Sequence, residues 1–205
     1  MPMVRIKICG ITNAEDARAA AAVGADAIGL VFYRKSPRAV DAVRTQEVLT
    51  ALPPFITRVG LFVNADTAEV AATLQQCPLD VLQFHGDESP SFCRHFDRPY
   101  IKVLRVTAAQ DLRPAVDAYH DAQGLLLDCA APGVWGGSGQ SFDWWRLPDL
   151  GKPWILAGGL HAGNVAEAIA IARPYAVDVS SGVEMSPGRK DHDKMAQFVA
   201  RVRGT

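Results

Sequence analysis

The chain has 205 residues, with 21 Lys+Arg against 22 Asp+Glu, a formal net charge of −1 and 49% apolar residues. A disordered chain would be poorer in apolar residues and more strongly charged, and a nucleic-acid-binding domain would carry a basic excess. The length suits one α/β domain over 1–205. No apolar run approaches the roughly 20 residues that a membrane helix needs. Residues Met1 to Lys7 alternate apolar and charged side chains, without the apolar region of a secretory signal. The expected setting is the cytoplasm, with neither membrane nor nucleic acid as partner. Cys9, Cys77, Cys93 and Cys129 form no C-x-x-C pair, and the five histidines show no H-x-H or H-E-x-x-H spacing. Neither a disulfide framework nor a metal site is expected.

In chain order, the first strand runs to Cys9 and is followed by an Ala-rich helix from Ala14 to Val23, with Asn13 as N-cap and Gly24 as stop. Asp26 to Phe32 and Val59 to Val63 are near-continuous apolar runs, as in parallel strands buried on both faces. Asp66 to Gln76 sets Val70, Ala71 and Leu74 on one helical stripe, closed by Pro78. A strand ends near Phe84, and another covers Tyr100 to Val106. Helical patterns follow at Asp111 to Tyr119, Asn164 to Ala172 and Asp191 to Val202. Strands around Leu125 to Leu127, at Trp154 to Ala157 and ending near Val179 complete the set. The strand ends recur with a beat of about 24 residues, close to one strand–loop–helix–loop unit. Eight such units predict a closed (β/α)8 TIM barrel. An open doubly wound sheet is the alternative. It lacks support because Cys9-Gly10-Ile11-Thr12 stands where a G-x-G-x-x-G would follow the first strand.

A barrel of this kind carries its functional residues at the C-terminal strand ends and in the loops that follow. Cys9 shares a face with Lys7 and Arg5, whereas Val4, Ile6 and Ile8 take the other. Cys9 therefore points toward the barrel axis, as a thiolate base or as a buried structural thiol. Asp128 closes an apolar strand and is either an acid or the opening of an Asx turn. Ala157-Gly158-Gly159-Leu160 and Ser180-Ser181-Gly182 follow strands seven and eight, where barrels commonly bind phosphate through backbone N–H groups. Arg38, in Ser36-Pro37-Arg38, is either a carboxylate clamp or a solvated arginine. His85-Gly86-Asp87-Glu88 reads as a capped turn with a polar rim rather than a metal site. Gly133 to Gly139, beside Asp128, reads as a mobile lid or a plain flexible loop, with the lid favoured.

These motifs together resemble the phosphoribosylanthranilate isomerase family. The resemblance rests on Lys7-Ile8-Cys9-Gly10-Ile11-Thr12, Gly24-Ala25-Asp26-Ala27-Ile28-Gly29, Ser36-Pro37-Arg38, Gln83-Phe84-His85-Gly86-Asp87-Glu88 and Asp128. It continues through Gly136-Gly137-Ser138-Gly139, Phe142-Asp143-Trp144, Leu156-Ala157-Gly158-Gly159-Leu160, Asp178-Val179-Ser180-Ser181-Gly182-Val183-Glu184 and Pro187-Gly188-Arg189-Lys190-Asp191. Phe84 stands where leucine is more usual, and Ser138 where threonine is. The resemblance implies an isomerase of tryptophan biosynthesis that performs an Amadori rearrangement of an aminoaldose to 1-(2-carboxyphenylamino)-1-deoxyribulose 5-phosphate. It implies Asp128 as general acid and Cys9 as general base, with Lys7 a candidate cation beside the thiol. Arg38 would hold the anthranilate carboxylate, and Gly158, Gly159, Ser181 and Gly182 the phosphate, with Asp178 as a supporting polar residue. No cofactor is expected. The partner is a small phosphorylated substrate, and the chain is expected to be a monomer or homodimer. The related histidine-pathway isomerase uses an aspartate as base on strand one, and Cys9 argues against it.

Overall fold

The structure, a computed structural model, describes residues 3–106, 111–129 and 150–205. Eight parallel strands close into a barrel in sequence order: β1 (Arg5–Cys9), β2 (Ala27–Val31), β3 (Thr57–Phe62), β4 (Val81–Phe84), β5 (Tyr100–Val106), β6 (Gly124–Cys129), β7 (Trp154–Ala157) and β8 (Ala176–Val179). β8 returns to pair with β1, with Lys7 opposite Asp178 in the register. The helices are α1 (Ala14–Ala22), α2 (Ala42–Thr50), α3 (Thr67–Gln76), α4 (Pro90–Arg94), α5 (Arg113–Ala118), α6 (Val165–Ala172) and α7 (His192–Arg203). A short antiparallel pair, β9 (Glu184–Ser186) and β10 (Arg189–Lys190), follows β8. The predicted barrel is the observed one, and the predicted helices and strands match within a few residues. α2, α4 and the β9–β10 pair are additions.

Side-chain caps explain where several helices begin. The Asn13 side chain accepts from the Asp16 amide, and Asp41, Asp66, Ser89 and Asp191 do the same for α2, α3, α4 and α7. Each satisfies a backbone N–H that the first helical turn leaves unpaired. Pro90 at the start of α4 uses a position that needs no donor.

Alternation along the strands divides the apolar side chains into two populations. Ile6, Ile8, Ile28, Leu30, Leu82, Leu125 and Val177 face outward and pack under the helices. Val103, Leu126, Ile155, Ala157 and Ala176 fill the barrel interior. Phe84 lies on the outer side, within ring-contact distance of Phe62, Phe92, Phe96 and Tyr100. Aromatic packing thus accounts for a phenylalanine at this position.

The last helix seals the barrel's seam. α7 buries Met195, Phe198, Val199 and Val202, the i, i+3, i+4, i+7 stripe of an amphipathic helix. Arg203 then donates to the carbonyls of Val4 and Gly24 and to Asp26, which also accepts from the Ile6 amide. The end of α7 is thereby tied to the starts of β1 and β2. Phe198→Ala removes a fully buried ring and is expected to lower stability by about 3–5 kcal/mol, read as a lower urea midpoint.

Candidate active site

All eight residues singled out in the sequence line one cavity of about 410 Å³ at the C-terminal mouth of the barrel: Cys9, Arg38, Asp128, Gly158, Gly159, Asp178, Ser181 and Gly182. Strand parity is the reason. Cys9, Asp128 and Asp178 each occupy an inward position near a strand end, and the others sit in the loops just above.

Cys9 is 6% exposed and stands opposite Gly29 of β2. A Cβ at position 29 would lie 2.7 Å from the Cys9 Sγ and 3.1 Å from the Lys7 Nζ. Glycine leaves the space in which thiol and ammonium meet. The Lys7 Nζ donates to the Asp178 Oδ1 at 2.9 Å, and both side chains are buried. Burial pushes the Cys9 thiol above its usual range; the Lys7 charge opposes that, and Asp178 reinforces it. Burial also disfavours the Lys7 ammonium, but Asp178 and Cys9 outweigh it, so the lysine is held above its ordinary range. Asp178 is raised above the usual carboxylate range, first by burial and in smaller part by nearby Asp128, against the pull of Lys7.

Asp128 is 5% exposed, and its Oδ2 lies 3.1 Å from the His85 Nε2. His85 follows β4 on the same face as Gln83. Its turn is capped as the sequence predicts: Glu88 accepts from the amides of Gly86 and Asn64. Glu88 is anchored by the buried Lys102 Nζ at 2.7 Å, which also donates to the Gly86 carbonyl. A buried charge needs such a partner, and this pair fixes the turn that carries His85 to Asp128.

The two glycine-bearing loops supply donors. Gly158 and Gly159 take positive φ, 91° and 64°, a region open mainly to glycine. Gly182 touches the Leu160 carbonyl so closely that any Cβ would collide with its oxygen. The amides of Gly159, Ser181 and Gly182 have no carbonyl partner among the described residues. Ser181 and Gly182 open a 3-10 turn, Ser181–Val183, where unpaired N–H groups suit an anion.

Arg38 is not a free arginine. Its Nε and Nη2 donate to the two Glu184 carboxylate oxygens at 2.7 and 2.6 Å. Glu184 is shared with the Lys190 Nζ at 2.9 Å. The side-on face of the guanidinium is occupied, which leaves its end-on Nη1–Nη2 edge for a second carboxylate.

Sequence reasoning missed the His85–Asp128 contact, the Lys7–Asp178 ion pair and the Glu184 grip on Arg38. Parity gave a signal for Lys7 and His85. Glu184, 146 residues from Arg38, gave none. The Gly133 to Gly139 stretch, read as a lid, lies outside the described residues together with the Phe142-Asp143-Trp144 motif. Among the described residues, no three His, Cys, Asp or Glu side chains converge as a metal cluster, and no helix is long and apolar enough to cross a membrane.

Comparison with known proteins bears on this geometry. The family described as N-(5'phosphoribosyl)anthranilate (PRA) isomerase matches residues 6–201. An N-(5'-phosphoribosyl)anthranilate isomerase of Acidithiobacillus ferrooxidans is 89% identical over 205 residues, covering 100% of both chains. The crystal structure of phosphoribosyl anthranilate isomerase from Thermotoga maritima is similar at 40% identity and a TM-score of 0.91, over 99% of this chain and 100% of that one. Another such isomerase, solved in complex with reduced 1-(o-carboxyphenylamino)-1-deoxyribulose 5-phosphate, is 39% identical with a TM-score of 0.88, over 99% and 100% of the two chains. With the barrel, the paired strand ends and a family match over nearly its whole length, this chain belongs to the N-(5'-phosphoribosyl)anthranilate isomerase family.

Proposed function

We propose that the chain isomerises N-(5'-phosphoribosyl)anthranilate to the 1-deoxyribulose phosphate in tryptophan biosynthesis, with Cys9 as general base and Asp128 as general acid. The observation that carries this reading is a single cavity lined by a buried thiol and a buried carboxylate from different strands. A structural neighbour bound to a reduced, phosphorylated carboxyphenylamino-deoxyribulose supports the same substrate class here.

Asp128 protonates the ribose ring oxygen, and the ring opens to an iminium ion. Cys9 removes the C2′ proton, and the resulting enolamine tautomerises to the ketone. One base and one acid held on the same substrate are what this proton traffic requires. His85 orients the Asp128 carboxyl through their contact. The amides of Gly159, Ser181 and Gly182, in the turns built with Gly158, take the phosphate. The end-on edge of Arg38, braced by Glu184, takes the anthranilate carboxylate. Asp178 holds Lys7 beside the thiol, where the ammonium favours the thiolate.

Cys9→Ser and Asp128→Asn are each expected to lower kcat by about 10²–10⁴-fold while the reduced product analogue still binds. Loss of substrate fluorescence and equilibrium titration check the two halves of that statement. Arg38→Ala is expected to raise KM by about tenfold or more, since a charge-assisted hydrogen bond is lost. An unchanged KM would remove Arg38 from the carboxylate site.

The pH dependence follows from the thiol. The thiolate is the active form, and burial holds its pKa above the ordinary range. The value of kcat/KM should therefore rise with pH on a limb lying above the ordinary thiol value of about 8.5. Lys7→Met removes the cation that favours the thiolate and should move that limb further alkaline. A limb below neutrality in the wild type would contradict the assignment.

A further inference from the structure

The floor of the cavity holds a polar group that the reaction scheme leaves without a task. Gln83 on β4 is 1% exposed, faces inward two residues before His85, and lines the same cavity as Cys9 and Asp128. Its Oε1 is buried and has no hydrogen-bond partner among the described residues. Leu61 stands beside it in the register, and Leu61 and Leu126 line the same cavity. A buried carbonyl oxygen without a donor is costly, whereas a leucine or methionine in its place would not be. A buried polar atom left unsatisfied calls for an explanation, and beside a cavity a group that enters the cavity supplies one.

The chemistry of the orphan atom selects the ligand group. An amide oxygen only accepts, and ionised phosphate and carboxylate also only accept, so neither end of a doubly anionic substrate can satisfy it. Both anionic groups have other donors, in the loop amides and Arg38. The anilino N–H only donates, whereas a hydroxyl both donates and accepts and so satisfies a carboxamide in either orientation. We propose that Gln83 binds a hydroxyl of the substrate's pentose chain, making it a specificity-determining residue for the reaction. This rests on the isomerase reading. A site built to hydrogen-bond a substrate hydroxyl rejects analogues that lack it, because the protein group is then left unpaired.

The test uses Gln83→Met, which keeps the side chain's length and deletes both ends of the carboxamide. Three results are expected together. KM for the aminoaldose rises by about tenfold with kcat nearly retained, as for loss of binding common to ground and transition states. The melting temperature of the ligand-free protein rises, because an unsatisfied buried group has gone. The wild type binds the reduced product analogue about tenfold more tightly than one of its monodeoxy forms, and the variant loses that preference. An unchanged KM with the preference intact overturns the proposal, whatever happens to the melting temperature. Should the methionine variant fail to fold, Gln83→Asn keeps the amide but shortens its reach by one carbon. The same rise in KM is expected of it, and wild-type kinetics would refute the role. Wild-type protein that does not turn over the aminoaldose at all would overturn the isomerase reading instead.

Discussion

The buried ion pair between Lys7 and Asp178 is the constraint around which the active end of the barrel is arranged. Two charges removed from water are tolerated only when each neutralises the other at close range, and here the separation is 2.9 Å. That contact exists because β8 pairs with β1 in a register that sets the two residues side by side. Closing the barrel and making the pair are one event. A shift of one residue in either strand would turn its charged side chain to the outer face, away from its partner. The pair also fixes the electrostatics of the mouth. Cys9 sits two residues beyond Lys7 on the same face, and Asp178 in turn feels Asp128 and His85. The proposed base and acid, the lysine and the histidine therefore form one coupled set around the cavity.

The rest of the architecture protects this set. The outer faces of the strands are apolar and carry the helices. The interior changes from aliphatic in its lower part to polar at the top. The proposed binding mode gives the anions to backbone amides and to one braced arginine rather than to a field of lysines. A chain of net charge −1 can thus take a doubly anionic substrate, because fixed donors at the site replace a basic surface. Glu184 and Lys190 keep Arg38 in one orientation, at the expense of part of its hydrogen-bonding capacity.

Much of this was legible in the residues. The spacing of the apolar runs showed eight strand–helix units, and the position of Cys9, Asp128 and the two glycine loops at strand ends pointed to the candidate site. Trp154–Ala157, a run of only four residues, was readable through its place in the beat. What escaped has physical reasons. α2 buries only Thr45 and Val48, so its apolar stripe is too thin to register, and α4 is a five-residue helix. Parity told which face Lys7 and His85 occupy but not what they touch, since Asp178 lies 171 residues from Lys7 and Asp128 lies 43 from His85. Glu184 carried no local signal, because the β9–β10 pair that presents it forms from very short strands. Gln83 was quoted only as part of a motif, and its lack of a partner exists only in three dimensions.

In the proposed reaction one cavity holds the substrate, with Cys9 at C2′ and Asp128 at the ring oxygen. The most direct measurement is a crystal structure of this protein with the reduced product analogue. The phosphate is expected on the amides of Gly159, Ser181 and Gly182. The Cys9 Sγ and an Asp128 carboxylate oxygen are expected within about 3–3.5 Å of the C1′–C2′ segment and the hydroxyl derived from the ring oxygen. An analogue bound with its phosphate elsewhere, or with Cys9 out of reach of C2′, would contradict the proposed reaction.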